Sequence, residues 1–272
     1  VTDTVLTFLG AARTVTGSKT VIETDQARVM VDSGLFQGVK ELRLRNWASL
    51  PLDAAEVDAV VLTHAHIDHC GYLPRLVADG FVGPVFASPG TVALTRIVLP
   101  DSARLQEEEA AYANRKGYSK HRPALALYGA ADAEAALRQL VTVPFGHHTD
   151  VAPGVSMVQQ PAGHILGSAV TRVRVGDTRI TFSGDLGRSQ HPLLVPPAPV
   201  GDADWIVVES TYGDRVHDDA HAVEQLRNTI VRTIERGGTV VIPAFAVDRT
   251  EVLLHHLGHL DDLGELPPVP VY

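Results

Sequence analysis

The chain alternates short apolar runs with polar punctuation in two periods. Runs of period two or of continuous apolar character, flanked by Gly and Asp, predict strands at Val5–Leu9, Thr20–Glu23, Val29–Asp32, Ala59–Thr63, Val155–Gln159, Ala169–Val175, Arg179–Ser183 and Trp205–Glu209. Apolar positions recurring every three to four residues predict helices near Gly71–Asp79, Val92–Asn114, Ala131–Leu140 and Ala220–Glu235. Strands and helices interleave, and the early strands arrive as neighbours. That order suits stacked sheets flanked by helices better than one doubly wound parallel sheet, so the expected class is α/β.

Two later stretches refine this picture. "HPLLVPPAPVGDAD" after Asp185 reads as an irregular surface connection. Beyond it, "GGTVVIPAFAVDRTEVLLHHLGHLDDLGELPPVPVY" reads as strand, turn, helix, strand, the opening of a βαβ layer. A strand with one crossover cannot bury both faces of a sheet, so a second domain broken off at Tyr272 is expected. With 272 residues and 45% apolar content, there is room for one large domain and part of another.

Composition narrows the classes. No apolar run is long enough to cross a bilayer and no secretory leader is visible, so a cytoplasmic protein is expected. Cys70, the single cysteine, cannot form an internal disulfide, in keeping with a reducing compartment. A net charge of -9 argues against coating nucleic acid non-specifically, although a local basic groove stays open. Arg and Lys gather between Arg104 and Arg122, but Glu107, Glu108 and Glu109 sit among them, and the reading favoured from sequence is a solvated helical face.

Chemistry concentrates in "LTHAHIDHCGYLPRL". His64 and His66 follow an apolar run, and residues two apart in an extended segment point to one side, so both imidazoles can reach one cation. Asp68 and His69 follow, where the chain can turn them toward a second. Imidazole nitrogen with carboxylate oxygen, and no cysteine, is a zinc set that leaves room for water. "PAGHILGSA" and "ITFSGDLGR" add His164 and Asp185 on strand-end loops.

These motifs resemble the metallo-β-lactamase fold: HxHxDH at His64 to His69, separate His164 and Asp185, and Asp32 in "VDSG" at a strand end. "GAARTVTGS", "DSGLFQG", "GYSKHRPALALY" and "AGHILGSA" are similar to the cleavage-factor and bacterial ribonuclease branch, and "VESTYGDR" with "IPAFAVDRTEVLL" resembles the opening of its β-CASP domain. The resemblance implies an αββα metallo-β-lactamase sandwich over 1–208 and the beginning of an α/β β-CASP domain, partial here, over 209–272. It implies a zinc-dependent phosphodiesterase acting on RNA, single-stranded in the first instance, in RNA processing or decay. His64, His66 and His164 would bind one zinc, Asp68 and His69 another, with Asp185 bridging; two cations about 3.5 to 4 Å apart acidify a shared water. Asp32 and Glu209 would accept N–H bonds from ligating histidines.

Ser183, Thr211 and Tyr212 are candidate phosphate contacts, set against the commoner role of hydroxyls in satisfying local backbone. Family members bring further histidines from later in the chain, one of them a ligand of the second zinc. This chain by itself is therefore expected to be weakly active or inactive, its partner being the C-terminal half of the same protein or a second copy in a homodimer. His147, His148, His191, His217, His221, His255, His256 and His259 lack the family's flanking residues and are assigned to surface or packing. Two rival readings keep the fold, a hydrolase of small esters or thioesters and a non-catalytic binding module.

Overall fold

A computed structural model describes residues 4–216 and 220–272. They form two compact units, 4–189 with 195–209, and 190–194 with 210–216 and 220–272.

The first unit carries two sheets. One runs β1 (Val5–Phe8), β2 (Thr20–Glu23), β3 (Arg28–Val31), β4 (Ala59–Val61), β5 (Val85–Ala87) and β6 (Leu140–Thr142), antiparallel as far as β3 and parallel from there on. The other is ordered β11 (Trp205–Val207), β10 (Thr178–Phe182), β9 (Ala169–Val175), β8 (Val155–Pro161) and β7 (Thr149–Ala152). Its register is antiparallel except between β10 and β11.

Period-two alternation divides single strands between two cores. Ala59 and Val61 of β4, with Val29 and Val31 of β3, meet Met157, Val173, Ile180 and Phe182 of the second sheet. Val60 and Met30 face the other way, onto a layer of helices. That layer comprises α3 (Leu73–Ala78), α4 (Pro89–Lys116) and α5 (Ala130–Arg138), which bury Leu73, Leu76, Leu99, Ala133 and Ala136. Short helices α1 (Lys40–Leu44) and α2 (Ile67–Cys70) lie within the crossovers.

Helix α4 shows why its sequence starts and stops where it does. Ser88 caps it by accepting from the Thr91 N–H, Pro89 occupies its first position, and Gly117 ends it at a φ of 68°. The Ser88 and Thr91 hydroxyls both donate to the Gly167 carbonyl, at 2.5 and 2.8 Å, so the start of the helix is fastened to the loop that carries His164.

The second unit contains α6 (Ala222–Glu235) and α7 (Arg249–Asp262), with Ile230, Thr233 and Leu260 buried. The strands expected around 239–245 and 268–272 are not formed: among the described residues neither stretch joins a sheet, and Val241 and Phe245 are exposed. A strand exists only through ladder bonds to a neighbour, which these stretches lack here. Among the described residues no helix is long and apolar enough to cross a membrane.

Candidate metal centre

The candidate ligands sit just past strand ends of both sheets, and those after β3 and β4 follow parallel neighbours, the usual seat of a site in an α/β sheet. Asp32 follows β3, His64 follows β4, His164 follows β8 and Asp185 follows β10. Asp68 and His69 ride on the single turn of α2, whose N-cap is His66. Backbone bonds lace these segments together: Ser18 N to Asp68 O at 2.8 Å, Gly34 N to Ser18 O at 2.9 Å, Ser33 N to His69 O at 2.7 Å and Leu35 N to Ile67 O at 2.9 Å. Gly187 N to Ala162 O, at 2.9 Å, ties the Asp185 loop to the His164 loop in the same way.

His64, His66, His164 and Asp185 each offer one donor atom, and all four atoms lie within 4.8 Å of one another. His64 Nε2 and His164 Nε2 stand 3.2 and 3.1 Å from His66 Nδ1. Asp185 Oδ2 completes the group at 3.8 Å from His64 Nε2 and 3.6 Å from His164 Nε2. Zinc bound tetrahedrally at 2.0–2.1 Å holds its nitrogens about 3.3 Å apart, so the imidazole spacing matches the edges of that polyhedron. The donors fit zinc.

The surroundings set the tautomers. Thr63 Oγ1 donates to Asp32, 2.9 and 3.0 Å from its two oxygens, and lies 3.1 Å from His64 Nδ1. With its own proton committed, that oxygen accepts from Nδ1–H and leaves the His64 Nε2 lone pair facing the group. Burial, then the neighbouring imidazoles His69, His66 and His164, hold His64 well below the ordinary imidazole range. It is therefore a neutral donor near pH 7.

His69 is oriented in the same manner. Its Nδ1 donates to Asp32 Oδ2 at 2.7 Å, which turns Nε2 toward Asp185 Oδ1 at 3.3 Å. Burial opposes a charge on His69, but Asp32 and Asp185 outweigh it and raise its pKa well above the usual value. Burial likewise works against the Asp185 carboxylate, and the bond and charge of His69 overcome it and lower its pKa. Burial raises Asp68. Asp68 and His69 lie beside the four-donor group and outside it; among the described residues no second set of three converging donors forms.

The remaining candidates fall in different places. Glu209 accepts from Leu186 N at 3.5 Å, and its own N–H donates to Ser183 Oγ at 3.0 Å. Ser183 also donates to the Gly184 carbonyl at 2.6 Å, so its hydroxyl is engaged with local backbone. Thr211 and Tyr212 belong to the second unit. His191 packs against Asp248 at 3.0 Å, and His255 and His259 are exposed. His217 lies outside the described residues.

Three residues at the site were not anticipated. Thr63 gives Asp32 both its N–H, at 2.8 Å, and its hydroxyl, and Ser18 Oγ donates to Asp32 Oδ2 at 3.1 Å. Lys19 is buried with Nζ 4.7 and 4.6 Å from the ring centroids of Phe36 and Tyr72, and it donates to the Gly34 carbonyl. Burial brings its pKa down to about 7. Their sequence signals were slight: Thr63 directly precedes the first ligand, and Ser18 and Lys19 directly precede an apolar strand.

Residues 13–244 match the family described as the Metallo-beta-lactamase superfamily. Ribonuclease TTHA0252 of Thermus thermophilus is 37% identical over 97% of this chain and 56% of its own length. Transcription termination factor FttA of Methanocaldococcus jannaschii is 29% identical over 92% of this chain and 38% of its own. The chain thus spans about half the length, or less, of these relatives. Among solved structures, a protein of unknown function from Enterococcus faecalis V583 aligns with a TM-score of 0.47 at 18% identity, over 97% of this chain and 58% of that one.

Proposed function

The chain belongs to the metallo-beta-lactamase superfamily, and from that premise we propose that it is the metal-binding portion of a zinc-dependent ribonuclease, a metallo-β-lactamase domain over 1–208 followed by the opening of a β-CASP domain over 209–272. The observation that carries the reading is the convergence of His64, His66, His164 and Asp185 on one point, in a chain 37% identical to a protein named ribonuclease. Bound zinc would supply a Lewis acid that neutralises phosphate charge and acidifies water.

The chain's own residues do the rest. His64, His66 and His164 would supply ring nitrogens to the ion, and Asp185 reaches His164 Nε2 through Oδ2, at 3.6 Å, and His69 Nε2 through Oδ1, at 3.3 Å. His69 and Asp68 are the proposed donors toward a second cation, which further residues of a longer protein would complete. Asp32 holds His69 through its Nδ1–H and so keeps Nε2 aimed inward. Glu209, at the end of the β11 segment, is proposed to support the Asp185 loop through the Leu186 N–H.

The test is cleavage of end-labelled single-stranded RNA by the full-length, zinc-loaded protein. A ladder of shortened products is expected, and Asp185→Ala should reduce the rate by about a hundred- to a thousandfold, the range for loss of one group that stabilises transition-state charge. Intact RNA alongside turnover of a small thioester would overturn the reading. The relatives named transcription termination factor favour a second role, release of transcripts, which a stalled-elongation assay would distinguish by transcript release without cleavage.

A further inference from the structure

Helix α4 ends in a cationic, aromatic tip that the metal centre does not use. Its final turn brings Arg115 and Lys116, and the loop that follows carries Lys120, His121 and Arg122. Asn114 closes this loop at both ends of its amide: its Nδ2 donates to the Ala124 carbonyl at 2.9 Å, and its Oδ1 accepts from Ala124 N at 2.7 Å. The basic side chains are therefore presented by a closed loop on a long helix.

Two tyrosines sit within this set. Tyr112 and Tyr118 are exposed, with ring centroids 6.1 Å apart and planes tilted by 55°. Arg115 Cζ and Lys116 Nζ stand 5.5 and 5.9 Å from the Tyr112 centroid. Structure also separates what the sequence runs together. Arg104 is bound to Asp101 at 2.7 Å and to Glu108 at 2.9 Å, and Glu107 accepts from Ala130 N at 3.1 Å. Arg115, Lys116, Lys120 and Arg122 have no ion-pair partner among the described residues. Glu107 and Glu108 are thus engaged one or two turns earlier, and among the described residues the tip's cations carry no ion pair in a chain of net charge -9.

We propose that this tip is a second contact for single-stranded RNA, in which bases stack on Tyr112 and Tyr118 while Arg115, Lys116, Lys120 and Arg122 follow the phosphates. Exposed aromatic rings interleaved with cations are the usual platform for a flexible strand, because every base has a face to stack and every nucleotide a charge to pair. The proposal rests on the reading that the protein acts on RNA. The start of α4 is fastened to the His164 loop, and its 28 residues reach up to about 42 Å along the axis at 1.5 Å per residue. A strand stacked at about 3.4 Å per nucleotide needs about a dozen nucleotides to span that length. The tip thus acts on long RNA and leaves short RNA untouched.

The experiment uses the full-length, zinc-loaded protein with RNAs of about 6 and about 24 nucleotides, chosen to fall below and above that span. Cleavage of the short RNA reports on the metal centre. Binding of the long RNA is followed by fluorescence anisotropy in an Asp185→Asn background, which prevents turnover. Tyr112→Ala with Tyr118→Ala should weaken the long RNA about tenfold or more. Arg115→Glu with Lys116→Glu should also flatten the dependence of log affinity on log salt by about one to two units. Cleavage of the short RNA should be unchanged in both.

Equal affinity for the long RNA in wild type and variants, with wild-type cleavage intact, would overturn the tip and spare the ribonuclease. Absence of both binding and cleavage in wild type would overturn the two together. Displacement of the RNA by polyglutamate as readily as by polyuridylate of equal charge would assign the tip to an acidic polypeptide instead.

Discussion

Asp32 stands at a φ of 61°, a backbone region that a residue other than glycine occupies at a cost of about 1–3 kcal/mol. What holds it there is the number of bonds it makes: its N–H to Val61 O at 2.9 Å, and its carboxylate to Thr63 N, Thr63 Oγ1, Ser18 Oγ and His69 Nδ1. Thr63 is the residue common to both histidine orientations, since its hydroxyl also faces His64 Nδ1. Thr63→Val keeps the side-chain shape and removes only that hydroxyl. Zinc affinity, read by competition with a chromophoric chelator, should fall about 10–100-fold, as it does when partners of ligating histidines are lost. Unchanged affinity would mean that Asp32 alone orients the ligands. His64 and His66 were legible in the sequence because two residues of extended chain must place both rings on one side. Thr63 and Ser18 were not, because hydroxyls beside strands are common and only the fold brings these two to the same carboxylate.

At the scale of elements, the segment 33–35 is threaded between Ser18 and α2, and Gly34 is the point of closest approach. A Cβ there would lie 1.6 Å from the Asp68 carbonyl oxygen and 2.7 Å from His69 N. Both atoms are backbone, so nothing flexible can yield. Gly38 stands nearby in sequence at a φ of +84° with nothing within 4 Å of an added Cβ. Gly34→Ala should therefore cost more than about 3 kcal/mol, in the range of severe overpacking, and should displace Asp68 and His69. Gly38→Ala should cost only about 1–2 kcal/mol from its backbone conformation. Urea denaturation of the two variants checks the difference, and equal midpoints would refute it. The two glycines look alike in "DSGLFQG", since local sequence reveals a turn former and conceals which glycine another segment will touch. The strands from Thr20 to Glu23 and from Ala169 to Val175 were readable to the residue from their apolar runs. Val85–Ala87, Leu140–Thr142 and Thr149–Ala152 were not, because each offers only two or three apolar residues before a proline. The stretch 239–245 has strand composition without a strand, because composition cannot supply a ladder partner.

Across the whole molecule, apolar burial is uneven. The first unit closes two cores, one between its sheets and one beneath its helices, and strands β2 to β5 contribute to both. In the second unit Ile230, Thr233 and Leu260 are buried, whereas Val216, Val241, Phe245 and Leu254 are exposed. Sheet order and the sharing of strands between cores depend on long-range pairing that periodicity along the chain does not encode, so this inequality became visible only in the fold. Local opening follows buried contact density, and backbone hydrogen bonds over a thin core break without unfolding the rest. Amide exchange of the 272-residue chain should accordingly be faster in α6 and α7 than in β2–β5 by about a hundredfold or more, a gap of about 3 kcal/mol in opening free energy. Mass spectrometry of peptic fragments after timed exchange reads this directly, and similar protection in the two sets of elements would show that α6 and α7 draw stability from contacts beyond their own small core.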